Sequence, residues 1–184
     1  MSDAFVPYRK RDAYYVVSVG RLHPLKGYDM AIEACRLLLD QGYKVRWQVI
    51  GEGEDRSRLE RMIADRGLQE SFQLLGAMDN PYPYMKHADL YVHPSRYEGK
   101  SIAIDEAKIL GKPIVVTDFP TAKDHITDGC NGVIAEMNPD SLAACIGSLL
   151  TDDAQRAALA ANLKQSEWGT ETEIHKFYEL VNQG

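Results

Sequence analysis

The stretch "YYVVSVGRLHPLKGYDMAIEACRLLLDQGYKVRWQVIG", residues 14 to 51, contains a whole β-helix-β unit. A dense run of β-branched residues, 14 to 20, stops at a glycine. Over 28 to 42, Ala31, Ala34, Cys35 and Leu38 then recur at helical spacing, and 44 to 51 is again strand-like and closed by glycine. The pattern repeats downstream. "SFQLLG" (71 to 76) precedes the short "PYPYMKH", "ADLYVHP" (88 to 94) precedes a helix predicted over 102 to 110, and "PIVVT" (113 to 117) precedes "AKDHITDG". "NGVIAE" (131 to 136) precedes "PDSLAACIGSLLTD". About six strands alternating with helices through short connections predict an α/β fold, a Rossmann-like doubly wound parallel sheet with helices on both faces. The expected organisation is a leader or linker over 1 to 13, a Rossmann-like domain over 14 to 166, and a carboxyl-terminal helix over 167 to 184. That last helix packs on the body, through Trp168 and Phe177, or crosses to a partner.

Composition narrows the function. With 45% hydrophobic and 26% charged residues, the 184-residue chain suits one globular domain. A net charge of -6 disfavours a nucleic-acid partner, so an anionic ligand must be met by locally gathered cations. No apolar run is long enough to span a bilayer and the polar start lacks a signal-peptide core, so the expected location is cytoplasmic. Cys35, Cys130 and Cys145 form no CxxC pair, which predicts neither a disulfide framework nor a zinc site.

Ligands of open α/β sheets sit at the carboxyl ends of the strands, which directs attention to the loops that follow them. "GRLHPLKG" places Arg21 and Lys26 between a strand and a helix, where two cations suit a diphosphate and where the alternative for each is solvated surface charge. The order Lys26 then Gly27 is not that of a Walker loop, and "GEGEDR" from Gly51 lacks the third glycine of a dehydrogenase fingerprint. In "SRYEGKSIAIDEAKILGKPIV" (95 to 115), Ser101 can cap a helix that Gly111 and Pro113 end. Residues 103, 106, 107 and 110 form its apolar stripe, whereas Ser101, Asp105, Lys108 and Lys112 form a polar stripe for water to cover. Glu106 therefore sits among apolar residues and needs partners: hydrogen-bond donors from protein or ligand, or a lysine or arginine holding it as a structural anchor. Gly99, Lys100 and the amides at the helix start form an anion site of a common kind.

These residues resemble a known family. "SVGRLHPLKGYDMAIEAC", "VIGEGEDRSRLE", "LLGAMDNPYPYMKHADLYVHPSRYEGKSIAIDEAKILGKPIVVT" and "DGCNGVIAE" are similar to the carboxyl-terminal half of a family 4 retaining glycosyltransferase of the GT-B fold. The spaced pair E-x7-E, Glu98 to Glu106 between "PSRYEG" and "GKPIV", carries much of the likeness. The resemblance implies that Arg21 and Lys26 contact a donor diphosphate, that Glu98 lies by the transferred sugar, and that Glu106 accepts from ribose hydroxyls. It further implies that the amides of Gly99, Lys100, Ser101 and Ile102 hold the distal phosphate or sugar and that Ala77, Met78 and Asp79 line the base. Gly20, Gly51 and Gly53 would give close backbone approach. At Lys100 and Ser101 the chain departs from many relatives, which have an aromatic residue and then glycine or proline. Catalytic roles are thereby expected for Glu98, Arg21 and Lys26, with no cofactor and no metal, a nucleoside diphosphate sugar as donor and a glycan or lipid-linked acceptor. The resemblance also implies a separate amino-terminal acceptor domain, through which the enzyme could sit at the inner membrane. A hydrolase using the two glutamates, and a nucleotide-binding module without catalysis of its own, are the competing classes.

Overall fold

A computed structural model of the chain describes residues 13–164, so the expected helix over 167 to 184 and all but Ala13 of the leader lie outside the described residues. Six strands form one parallel sheet: β1 (Tyr14–Val19), β2 (Val45–Ile50), β3 (Phe72–Gly76), β4 (Leu90–His93), β5 (Ile114–Thr117) and β6 (Val133–Ala135). Their order is β3-β2-β1-β4-β5-β6, with β1 paired in register along its length with β2 and, more briefly, with β4. The intervening helices are α1 (Tyr28–Asp40), α2 (Arg56–Asp65), α3 (Tyr82–His87), α4 (Ile102–Ile109), α5 (Ala122–His125) and α6 (Pro139–Thr151), followed by α7 (Asp153–Lys164).

The continuous apolar runs arise because both faces of the sheet are buried. Alternate residues of one strand serve different cores. Val16, Leu90, Val92 and Val115 meet α1, α2 and α6, whereas Val17, Tyr91, Ile114 and Val116 meet α3, α4 and α5. Trp47 is fully buried, and its indole nitrogen donates to Ser18 Oγ (3.0 Å), which donates to the Val92 carbonyl (2.6 Å), so no polar atom is stranded there. The sequence patterns thus produce the expected six-stranded sheet. Among the described residues no helix is long and apolar enough to cross a membrane.

The polar stripe expected on α4 is only partly covered by water: Asp105 and Lys112 are partly exposed, but the other two members are buried. Lys108 is 3% exposed and Ser101 6%, while Ile102 is 70% exposed. The helix is enclosed on two sides, by β5 and by α7, whose Leu163 joins the same core. Lys108 Nζ approaches Asp105 Oδ1 (3.4 Å), and burial lowers its pKa. Ser101 stands at the N-cap, but its side chain makes no capping hydrogen bond. The far end closes as the sequence predicts: Gly111, at φ 64°, and Lys112 donate their amides to the carbonyls of Lys108 (2.8 Å) and Ala107 (3.0 Å).

Candidate functional site

Because α1 and α4 pack on opposite faces, the loops leaving the adjacent strands β1 and β4 diverge and open a crevice at the topological switch point. Main-chain contact sets their spacing. Gly27 has φ 67°, and a Cβ on it would lie 1.9 Å from the Pro94 carbonyl oxygen, so no other residue type fits without moving a loop. The β1 loop is shaped by its own side chain: His23 Nδ1 accepts from the Leu25 amide (3.1 Å) and begins a 3-10 turn over Pro24–Lys26. Arg96 joins the loops to α1. Its amide donates to Leu25 O (2.8 Å), and its guanidinium to Pro24 O (2.9 Å) and to both oxygens of Asp29 (2.7 and 3.0 Å).

This crossing brings Lys26 and Glu98 together. Glu98 is 8% exposed, and its Oε1 accepts from Lys26 Nζ, His93 Nε2 (2.7 Å) and Ser95 Oγ (2.8 Å). Burial would raise the Glu98 pKa, but these donors outweigh it and bring it down to about 2. The backbone of the loop is clamped as well. Thr121 Oγ1 donates to Glu98 O (2.8 Å), His125 Nε2 to Gly99 O (3.0 Å), and Thr117 Oγ1 to Ser95 O. Beyond Glu98, the amides of Gly99, Lys100, Ser101 and Ile102 donate to no acceptor among the described residues, and a Cβ at Gly99 would enter open space.

The remaining expected residues form two further groups. Glu106 is half-buried on α4 and accepts from the hydroxyl of Tyr82 (2.7 Å), at the start of α3, rather than from a lysine or arginine. Burial raises its pKa, against the effect of the Tyr82 bond. The same Tyr82 ends the loop that carries Ala77, Met78 and Asp79, so this loop and Glu106 share one corner of the crevice. Arg21 does not join Lys26 at Glu98. Its side chain is 64% exposed and lies 3.8 Å from Glu54, which also meets His23 Nε2 at 3.4 Å. At Gly51 and Gly53 the space a Cβ would need is filled by the carbonyls of Gly20 (2.0 Å) and Leu22 (2.1 Å), so these glycines let the β1 and β2 loops touch. Gly20 itself faces the Tyr28 hydroxyl.

Sequence reasoning missed His93, Ser95, Tyr82, Arg96, Thr121 and His125. Two signals were present. Tyr91 and His93 alternate on one strand face and so share a side, and Ser95 and Glu98 are separated by one tight turn. The Thr121 and His125 contacts cross more than twenty residues and need the fold. Among the described residues no three His, Cys, Asp or Glu side chains are grouped so as to hold a metal ion.

Comparison with known proteins places this crevice in context. The family described as Glycosyl transferases group 1 matches residues 3–166. The chain is 28% identical over 169 residues to the poly(ribitol-phosphate) alpha-N-acetylglucosaminyltransferase of Staphylococcus aureus, covering 89% of this chain and 34% of that protein. It is 32% identical over 189 residues to the amylovoran biosynthesis glycosyltransferase AmsK of Erwinia amylovora, covering 94% and 46%. The chain thus spans between a third and a half of the length of these curated relatives. A crystal structure of a S. aureus TarM mutant with Fondaparinux, alpha-GlcNAc-glycerol and UDP superposes with a TM-score of 0.79 at 26% identity, covering 97% of this chain and 38% of that one. The carboxyl-terminal domain of the group 1 family protein LpcC from Francisella tularensis, solved by itself, gives 0.70 at 26% identity and 82% coverage of both chains.

Proposed function

Starting from its membership of the group 1 glycosyl transferases, we propose that this chain is the donor-binding, carboxyl-terminal half of a retaining family 4 enzyme of the GT-B type. It binds a nucleoside diphosphate sugar, and with an amino-terminal acceptor domain it transfers the hexose to a glycan or lipid-linked acceptor, in the cytoplasm or at the inner face of a membrane. The observation that carries the reading is the meeting of Lys26 and Glu98 at the switch point, beside four amides that have no acceptor among the described residues. A related enzyme has been crystallised with UDP, which makes UDP the first nucleotide to test.

The roles follow from position. Lys26 reaches the site on a flexible stem and is the cation that can turn from Glu98 to a diphosphate. Arg21, at the rim, adds a second positive charge if its side chain swings away from Glu54. The free amides of Gly99 to Ile102 stabilise the negative charge that grows on the leaving diphosphate, without needing to reorganise. Glu98 is held ionised beside the sugar, Glu106 accepts from the ribose, and Ala77 with Met78 lines the base. In calorimetry, Lys26→Ala is expected to weaken UDP binding by about tenfold or more, as loss of a charge-assisted contact implies. Equal affinity in Lys26→Ala, Arg21→Ala and the unaltered chain would overturn the assignment. The 184 residues by themselves are expected to bind donor without transferring sugar, because in this reading the amino-terminal acceptor domain orients the acceptor. Acceptor-dependent product detected by mass spectrometry with the isolated chain would refute that.

A further inference from the structure

We propose that His93 is a positioning residue that keeps Glu98 in place when Lys26 turns to the ligand; this rests on the reading of Glu98 as a sugar contact. Three donors share Oε1 of Glu98, whereas Oε2 has no donor among the described residues. The donors differ in mobility. Lys26 carries a long stem and is about a quarter exposed. His93 is buried at the end of β4, its ring stacked on Tyr91 and met edge-on by Phe119, each at a centroid distance of 6.1 Å.

The hydrogen bonds fix the proton on that ring. An ionised carboxylate can only accept, so Nε2 must donate to Glu98. Burial lowers the His93 pKa and keeps the ring neutral, which makes Nδ1 an acceptor, and the Tyr91 hydroxyl supplies it at 3.0 Å. The positive charge of Lys26 also disfavours a second proton on the ring, and with burial it outweighs the opposite effect of Glu98. A chain of donors thus runs from Tyr91 through His93 to Oε1. Lys26 can leave without freeing the carboxylate, whose Oε2, with no donor among the described residues, is kept for a sugar hydroxyl.

The test combines nitrogen NMR of the ring, carboxyl-carbon titration of Glu98 and calorimetry with UDP and UDP-glucose. In the unaltered chain the ring should carry its proton on Nε2, and Glu98 should titrate far below the ordinary carboxylate range. His93→Phe keeps an aromatic ring but removes the donor. It should move the Glu98 titration upward and reduce the preference for UDP-glucose over UDP about tenfold, the scale of one charge-assisted bond. His93→Gln, which offers an amide nitrogen near the place of Nε2, should restore part of both. Because His93→Phe could fail to fold, Tyr91→Phe supplies an independent test: the ring remains and loses the partner of Nδ1, but the proton should stay on Nε2, because the ionised Glu98 can only accept. A proton on Nδ1, in the unaltered chain or in Tyr91→Phe, would overturn the proposal, as would a Glu98 titration unmoved by His93→Phe. Glu98→Gln separates the two readings. If it leaves the UDP-glucose preference intact while His93→Phe still shifts the Glu98 titration, the sugar role fails and the positioning role stands. If Glu98→Gln abolishes the preference and His93→Phe changes nothing, the positioning role fails.

Discussion

Two glutamates eight positions apart lie in opposite electrostatic conditions. Glu98, on a loop, is buried among three donors and titrates near 2, whereas Glu106, on a helix, is half-buried with the Tyr82 hydroxyl and is pushed above its ordinary value. The loop carboxylate is already neutralised and supports the fold. The helical one has its charged form disfavoured by burial, a condition that favours an incoming donor. The two carboxylates therefore differ in what they contribute to stability, and the difference can be measured.

The largest effect is expected at Glu98. Glu98→Gln should lower unfolding free energy by about 2 to 3 kcal/mol, because charge-assisted bonds from three directions are weakened at once. The sign with pH follows from its depressed folded pKa: the contribution is complete above the unfolded value of 4.5 and is lost as pH falls toward 2. Urea titrations across that window should show a steep acid limb in the unaltered chain and a shallower one in the variant. Lys26→Ala should cost less, about 1 to 2 kcal/mol by the same measurement, since His93 and Ser95 remain on Oε1. At Glu106 the sign reverses. A raised folded pKa contributes stability below the unfolded value and removes it as pH rises past the folded one, so at pH 7 Glu106→Gln should leave stability unchanged or raise it by up to about 1 kcal/mol. The same variant should bind UDP more weakly, while a 2′,3′-dideoxy analogue loses little. A loss of stability at neutral pH in Glu106→Gln would break the comparison. The smallest change belongs to Tyr82→Phe, within about 1 kcal/mol of the unaltered chain, with the Glu106 carboxyl titrating still higher by NMR.

Most of the sheet was legible because strands buried on both faces have a signature independent of detail: Val16, Val17, Val115 and Val116 read as strand whichever core they enter. The loops that carry Lys26 and Glu98 were legible too, since short connections after strands gather at one edge. What the sequence concealed was orientation. Lys108 reads as solvent-facing until α7 is known to lie over α4, and Arg21 reads as a partner of Lys26 until Glu54 stands beside it. Periodicity describes one helix at a time, so a second covering element is invisible to it. The donors around Glu98 were hidden for a related reason, as Lys26 and Thr121 lie far from it in sequence and meet it only through the fold.

The contact between Gly27 and Pro94 has a consequence for anyone redesigning this protein. It works as a spacer: the separation of a cation and a carboxylate, neither of which it touches through a side chain, is set by how closely two stretches of main chain can lie. A library that preserves every charged residue but varies position 27 would retain the inventory of the site and lose its dimensions. Variation at 26 or 98 changes which groups are present, whereas a methyl group at 27 would change the distance over which all of them act.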